Sequence, residues 1–123
     1  GNIATLRCAV GSITTVSDAR DKQNIETLGS ASDFIKALRP VSFVWNERNG
    51  NKVGNPDHGF IAQELKTAQQ ETNWDVPHLV YESNPDKLEA SYARLLPSMV
   101  SALQEQQALI ESLTARLAAL EAD

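Results

Sequence analysis

The sequence predicts an α+β fold: a small head of short strands and helices, followed by one long C-terminal helix that enters a coiled coil. Three observations lead there. Short runs of alternating or β-branched apolar residues, bounded by turn residues, recur through the first two thirds of the chain. Two segments between them carry helical spacing next to capping or breaking residues. The last third carries a 3,4 apolar seam over strong helix formers. At 123 residues and 41% hydrophobic content, the chain has material for one core and is short for two.

The elements follow in order. From Leu6 to Val16, apolar Leu6, Cys8 and Val10 alternate with polar residues, and Ile13-Thr14-Thr15-Val16 is β-branched throughout, so two short strands are expected around Gly11-Ser12. Ser17 to Lys22 (SDARDK) is polar and breaks the pattern into a loop or turn. In ASDFIKALRP, Ser32 is placed to cap a short helix whose face holds Phe34, Ile35 and Leu38, and Pro40 stops it. Val41, Phe43 and Trp45 then alternate with Ser42 and Val44 as a strand with one large apolar face. NERNGNKVGNPDHG is turn chemistry throughout, and Gly59 to Leu65 opens a helix to about Gln70 with Ile61, Leu65 and Ala68 on its apolar face. Val76-Pro77 and Leu79-Val80-Tyr81 read as another strand after Trp74, and Asn84-Pro85-Asp86-Lys87 turns the chain into Leu88-Glu89-Ala90. The aromatic residues Phe34, Phe43, Trp45, Phe60 and Trp74 are expected in the core, because each sits in a periodic apolar context.

From Ser91 onward only Pro97 interrupts helix formers. Leu96, Met99, Leu103, Ile110, Leu113, Leu117 and Leu120 are spaced 3, 4, 7, 3, 4 and 3, and Gln106 fills the gap of seven. The seam then runs unbroken over about four heptads, with Leu96, Leu103, Ile110 and Leu117 at one core position and Met99, Gln106, Leu113 and Leu120 at the other. Glu105, Glu111, Arg116 and Glu121 keep the stripe narrow, which suits a parallel partner helix better than packing on the chain's own head. Gln106 at a core position costs stability while fixing register or strand number; the pattern leaves dimer and trimer both open.

Composition excludes several function classes. The net charge is −5, from 16 acidic and 11 basic residues, so no broad basic field gathers phosphates; nucleic acid and anionic membrane are not expected partners, and a DNA-binding head on a coiled coil is disfavoured. Cys8 is the single cysteine, expected as a buried thiol, so no disulfide forms within the chain. His58 and His78 have no Cys or carboxylate at ligand spacing beside them, so no metal site is expected. No apolar run approaches the about 20 residues that span a bilayer, and GNIATLRCAV has no charged region leading an apolar stretch, so the chain reads as soluble and without a signal peptide. Its start, at a strand-like segment without an initiator Met, reads as a fragment of a longer protein.

The stretch that carries chemistry is Ser17-Asp18-Ala19-Arg20-Asp21-Lys22. A serine hydroxyl becomes a good nucleophile when a base takes its proton, and a lysine is such a base once its amine is neutral. Burial and a neighbouring cation such as Arg20 favour the neutral amine, whereas Asp18 and Asp21 oppose it. A separation of five does not stack two side chains on one helix face, so the pair meets only across a turn. Asp18 is suited to fixing that turn through its own backbone and Arg20 to pairing with it.

In this setting the sequence resembles a known family, the C-terminal chaperone and auto-processing domain of endosialidases, phage tail fibres and neck appendages, also found in a membrane-bound myelin transcription factor. The resemblance rests on four blocks in order: Ser17 to Lys22 (S-D-x-R-x-K) with Ile25 and Leu28; Leu38-Arg39-Pro40-Val41-Ser42-Phe43 with Trp45; Gly59-Phe60-Ile61-Ala62-Gln63-Glu64; and Tyr92-Ala93-Arg94-Leu95-Leu96 running into Gln104-Glu105-Gln106. It spans residues 17 to 120, and the loop NERNGNKVGNPDHG is this sequence's own.

The resemblance implies a homotrimer that helps the preceding β-rich fibre fold and then releases itself by cutting beside the serine. The family's nucleophile falls on Ser17 and its lysine on Lys22, with Asp18, Arg20 and Glu64 in support; Glu64 or Gln63 is expected to make a fixed polar contact near the head's core or a neighbouring subunit. No cofactor or small-molecule substrate is implied, and the partners are two further copies and the upstream fibre of the same polypeptide. Residues 1–16 are then the end of the fibre or stalk, 17–91 the chaperone head and 92–123 the coiled-coil helix. The implied location is the host cytoplasm during virion assembly, with the fibre in the virion tail. The alternative is a non-catalytic trimerisation cap that stays attached.

Overall fold

The computed structural model describes residues 7–50 and 52–122 and is α+β, with short strands and a long C-terminal helix. The chain forms two compact units, one from the described residues of Gly1–Thr27 and Ser42–His58, the other from Leu28–Val41 and the described residues of Gly59–Asp123.

In the first unit, a 3-10 turn at Ala19–Asp21 interrupts an otherwise irregular segment. Strands β1 (Val41–Val44) and β2 (Pro56–Gly59) pair as a two-stranded sheet. The pairing continues into the turn: the Trp45 N–H donates to the Asn55 carbonyl at 2.8 Å, and the Gly54 N–H donates to the Trp45 carbonyl at 2.9 Å. Gly54 has φ +87°, a backbone that a Cβ would strain. Phe43 and Trp45 meet edge to face with centroids 5.0 Å apart, and the Lys52 ammonium lies 4.1 Å from the Trp45 ring centroid. The indole N–H donates to Asp57 at 3.0 Å, and this bond first, then the His58 N–H, holds the Asp57 carboxyl below its ordinary range.

The second unit contains the core. Helices α1 (Ser32–Ala37), α2 (Ala62–Thr72) and α3 (Leu96–Glu121) pack with a short antiparallel pair, β3 (Val80–Tyr81) and β4 (Glu89–Ala90), in the register Val80↔Ala90 and Tyr81↔Glu89. Phe34, Leu65 and Leu79 are its largest fully buried side chains; Ala31, Ala68, Val76 and Leu95 complete it, and Ile35, Leu38, Phe60 and Trp74 pack at its edge. Helix α2 ends at Asn73 in the left-handed region, with the Trp74 N–H on the Gln69 carbonyl at 3.0 Å, a Schellman closure. Pro97 sits in the first turn of α3, where its missing N–H costs nothing; a 3-10 turn at Tyr92–Leu95 leads in.

Small residues bring α3 close to α1. Ser98, Ser101 and Ala102 are buried, and their hydroxyls are satisfied: Ser101 Oγ accepts the Ala31 N–H at 3.1 Å and donates to the Ser98 carbonyl at 2.9 Å, while Ser98 Oγ accepts the Trp74 indole N–H at 3.1 Å. The seam residues face elsewhere. Ser98, Ser101 and Ala102 lie roughly 140° around the helix from Leu96, Met99 and Leu103 at 100° per residue, and Leu103, Ile110, Leu113 and Leu117 are 63%, 57%, 59% and 57% exposed.

Several expectations need correction. Among the described residues, 7–16 form no strand, and Leu6 lies outside the described residues; a strand exists through pairing, and every side chain from 7 to 30 is exposed. Cys8, expected buried, is exposed for the same reason. Ser32 is the first residue of α1 and not its cap: Ala31 holds the N-cap position, Ser30 Oγ accepts the Ser32 N–H at 3.2 Å, and the Ser32 hydroxyl donates to the Glu105 carboxylate at 2.6 Å, a charge-assisted bond that fixes it on the helix's first turn. Strand β2 arises inside the stretch that reads as turn throughout. Phe43 and Trp45 are half-buried on their ribbon, outside the main core.

Candidate functional site

The site is a single tight turn. Asp18 is its N-cap, with extended φ/ψ of −72° and 136°, and its Oδ1 accepts the Arg20 N–H at 2.8 Å. The Asp21 N–H closes on the Asp18 carbonyl at 3.0 Å and the Lys22 N–H on the Ala19 carbonyl at 3.2 Å. Lys22 returns to extended backbone, and its Nζ comes within 2.8 Å of Ser17 Oγ. A helix would have pointed residues five apart to different sides; the 3-10 turn brings them together.

Arg20 is occupied elsewhere on the same turn. Its Nε lies 3.1 Å from Asp18 Oδ1 and its terminal nitrogen 2.7 Å from Asp18 Oδ2, a two-pronged pairing. The Arg20 side-chain and backbone hydrogen bonds hold the Asp18 carboxyl below its ordinary value, and the Asp18 carboxylate raises the Arg20 guanidinium above its own. Both side chains are exposed, so the pair acts as a local brace and not as a buried charge.

Chemically, the Ser17 and Lys22 pair offers a hydroxyl and an amine at proton-transfer distance. Protonated, the amine donates to Ser17 Oγ; neutral, it accepts the hydroxyl proton. Among the described residues no three His, Cys, Asp or Glu side chains gather as a metal ligand set.

Glu64 lies in the second unit, in the first turn of α2, and takes a two-pronged pairing from Arg39: Nε to Oε1 at 2.9 Å and the terminal nitrogen to Oε2 at 2.6 Å. The Arg39 hydrogen bonds are the first cause holding the Glu64 carboxyl below its ordinary value. Thus two of the sequence blocks meet, the one carrying Arg39 and the one carrying Glu64. A second meeting ties the Gly59 to Glu64 block to Tyr92, whose hydroxyl donates to the Phe60 carbonyl at 2.8 Å and accepts the Phe60 N–H at 3.1 Å. Sequence reasoning missed Arg39 and Tyr92 as partners, and also Ser30 and Ser32 on Glu105. Arg39, Tyr92 and Glu105 carried a signal as members of the blocks, whereas Ser30 and Ser32 lie in none; the partners stand between 25 and 75 positions apart in sequence.

The family model of peptidase S74, described as chaperone of endosialidase, matches residues 17–74, so the matched segment opens on Ser17 and takes in the first three blocks. No curated protein matches the chain.

Proposed function

We propose, from the premise that residues 17–74 belong to the chaperone-of-endosialidase family, that this chain is a trimeric intramolecular chaperone that cuts itself free of an upstream phage fibre at Ser17. The observation that carries the reading is Lys22 Nζ at 2.8 Å from Ser17 Oγ, across the turn where the family match begins. The family is a chaperone of endosialidase and its name is that of a peptidase, which supports a self-cleaving chaperone.

The chemistry runs as follows. Neutral Lys22 takes the Ser17 hydroxyl proton as Oγ attacks the Val16 carbonyl carbon. The C–N bond breaks, the proton passes to the departing Ser17 amine, and Val16 is left as an ester on Ser17 Oγ. Water then attacks the ester, giving a Val16 carboxylate and restoring the hydroxyl. Val16 is 80% exposed, so no packing covers the residue that carries the scissile bond.

The exposed seam of α3 supports the assembly half of the reading. A locally formed helix associates quickly, whereas intertwined β-structure has distant contacts and folds slowly. Three helices joined through Leu96 to Leu120 hold three fibre C-termini at high effective concentration and in one register. Cutting afterwards removes the clamp and leaves the fibre kinetically trapped. Assembly in the host cytoplasm, with the fibre retained in the virion tail, follows from that role. The second reading is a trimerisation cap that never cuts.

Intact-mass analysis of a precursor carrying the upstream fibre tests it. The wild type should yield two chains cut beside Ser17. Ser17→Ala and Lys22→Ala should stay whole, and so should Lys22→Arg, because a guanidinium keeps its proton in this pH range. An uncut wild type, or normal cutting by Ser17→Ala, leaves only the trimerisation cap.

A further inference from the structure

Lys22 has a competing acceptor one residue beyond Ser17. Asp18 belongs to the same turn, four residues before Lys22, and a carboxylate attracts an ammonium as an ion pair, which a neutral hydroxyl cannot. With both oxygens free, Asp18 would be expected to draw Lys22 away from Ser17. In the structure both oxygens are taken: Arg20 covers Oδ1 with its backbone N–H at 2.8 Å and its Nε at 3.1 Å, and covers Oδ2 with its terminal nitrogen at 2.7 Å. Lys22 is on Ser17 instead, at 2.8 Å.

We propose that Arg20 is a positioning residue for self-cleavage: its guanidinium occupies the Asp18 carboxylate and so leaves the Lys22 amine on Ser17. The inference rests on the reading of Ser17 and Lys22 as nucleophile and base. Two effects follow from one contact. Geometrically, Arg20 removes the competing acceptor. Electrostatically, it offsets the negative charge that would attract the Lys22 side chain away from Ser17. Arginine suits the task better than lysine, because its planar fork meets both carboxylate oxygens at once while the backbone N–H of the same residue completes the turn. Asp21, the other acidic residue of the turn, lies next to Lys22 in sequence and has its backbone N–H on the Asp18 carbonyl. Asp18 therefore serves the turn as its cap but opposes the reaction as a free charge, and Arg20 separates the two roles.

The two roles predict a rescue. In Arg20→Ala the carboxylate is released toward Lys22, and self-cleavage of the full precursor should slow by about tenfold or more as the amine is drawn from Ser17 to Asp18. Adding Asp18→Asn to Arg20→Ala keeps an N-cap oxygen but removes the charge, and should restore the rate to within a few-fold of wild type. A merely structural brace predicts the reverse, since the double variant has lost more of it. First-order cutting rates by intact mass, with trimer content checked by sedimentation, decide between them. Arg20→Ala cutting at the wild-type rate overturns the inference, as does a double variant no faster than Arg20→Ala. If the wild type itself stays whole, the reading of the turn as a cleavage site falls and this inference with it. A wild type that cuts beside an unaffected Arg20→Ala overturns the inference alone.

Discussion

Gly59→Ala probes why a glycine stands at the head of the Gly59 to Glu64 block. A Cβ there would lie 2.8 Å from Tyr92 Oη, 3.0 Å from Cε2 and 3.2 Å from Cζ, where ordinary contact begins at 3.4 Å. The hydroxyl must therefore withdraw by roughly 0.6 Å. It is poorly free to do so, because it donates to the Phe60 carbonyl at 2.8 Å and accepts the Phe60 N–H at 3.1 Å. Losing both bonds costs about 2 kcal/mol at about 1 kcal/mol each. Stiffening the unfolded chain returns about 0.4–1 kcal/mol. The expected net loss is about 1–1.5 kcal/mol. In a Tyr92→Phe background the hydroxyl and its bonds are already gone, and the ring is free to shift, so only the unfolded-chain term remains and the alanine should stabilise by up to about 0.4–1 kcal/mol. Urea unfolding of the four variants, followed by circular dichroism at one protomer concentration, measures the coupling. An equal penalty in both backgrounds, or a stabilised Gly59→Ala in the wild-type background, would refute the reasoning.

The Arg39 and Glu64 pair has a pH signature. The Glu64 carboxyl lies below its ordinary value of 4.5 in the folded chain, so its contribution is fully present above that pH and is lost as pH falls through the lowered folded value. Acid titration of stability should therefore flatten at the low end in Glu64→Gln, and an unchanged acid limb would show the pair inert. In α3, Ile110→Asp should dissociate the proposed trimer, because three like charges meet in one apolar layer at a cost of about 3–5 kcal/mol or more. Sedimentation equilibrium reads this directly, and an intact trimer would show that the seam is not the interface. Gln106→Leu should raise the melting temperature by filling the polar layer, and a lower one would mean that another face of the helix is used.

How far the sequence alone reached depends on the range of the interactions involved. Helix α2, the long α3, the Asn84 turn and the buried Phe34, Leu65 and Ala68 were legible because spacing along one chain decides which side chains share a face. The turn at Ser17 to Lys22 was legible as a turn, since polar residues with an Asp near its start have few other outcomes. Strand β2 and the unpaired segment 7–16 were not, because β-structure is set by a partner that propensity does not name. Ser32 misled for a related reason: its capping signal is local, and the Glu105 carboxylate that claims its hydroxyl stands 73 residues away. The sequence by itself determined the candidate chemistry, a serine and a lysine separated by a turn, and the 3,4 seam that α3 leaves exposed. Only the tertiary structure decided the pairings between distant segments: Arg39 crosses to Glu64, and Ser30 and Ser32 meet Glu105. Side-chain pairing depends on distances through space, and a linear pattern does not carry them.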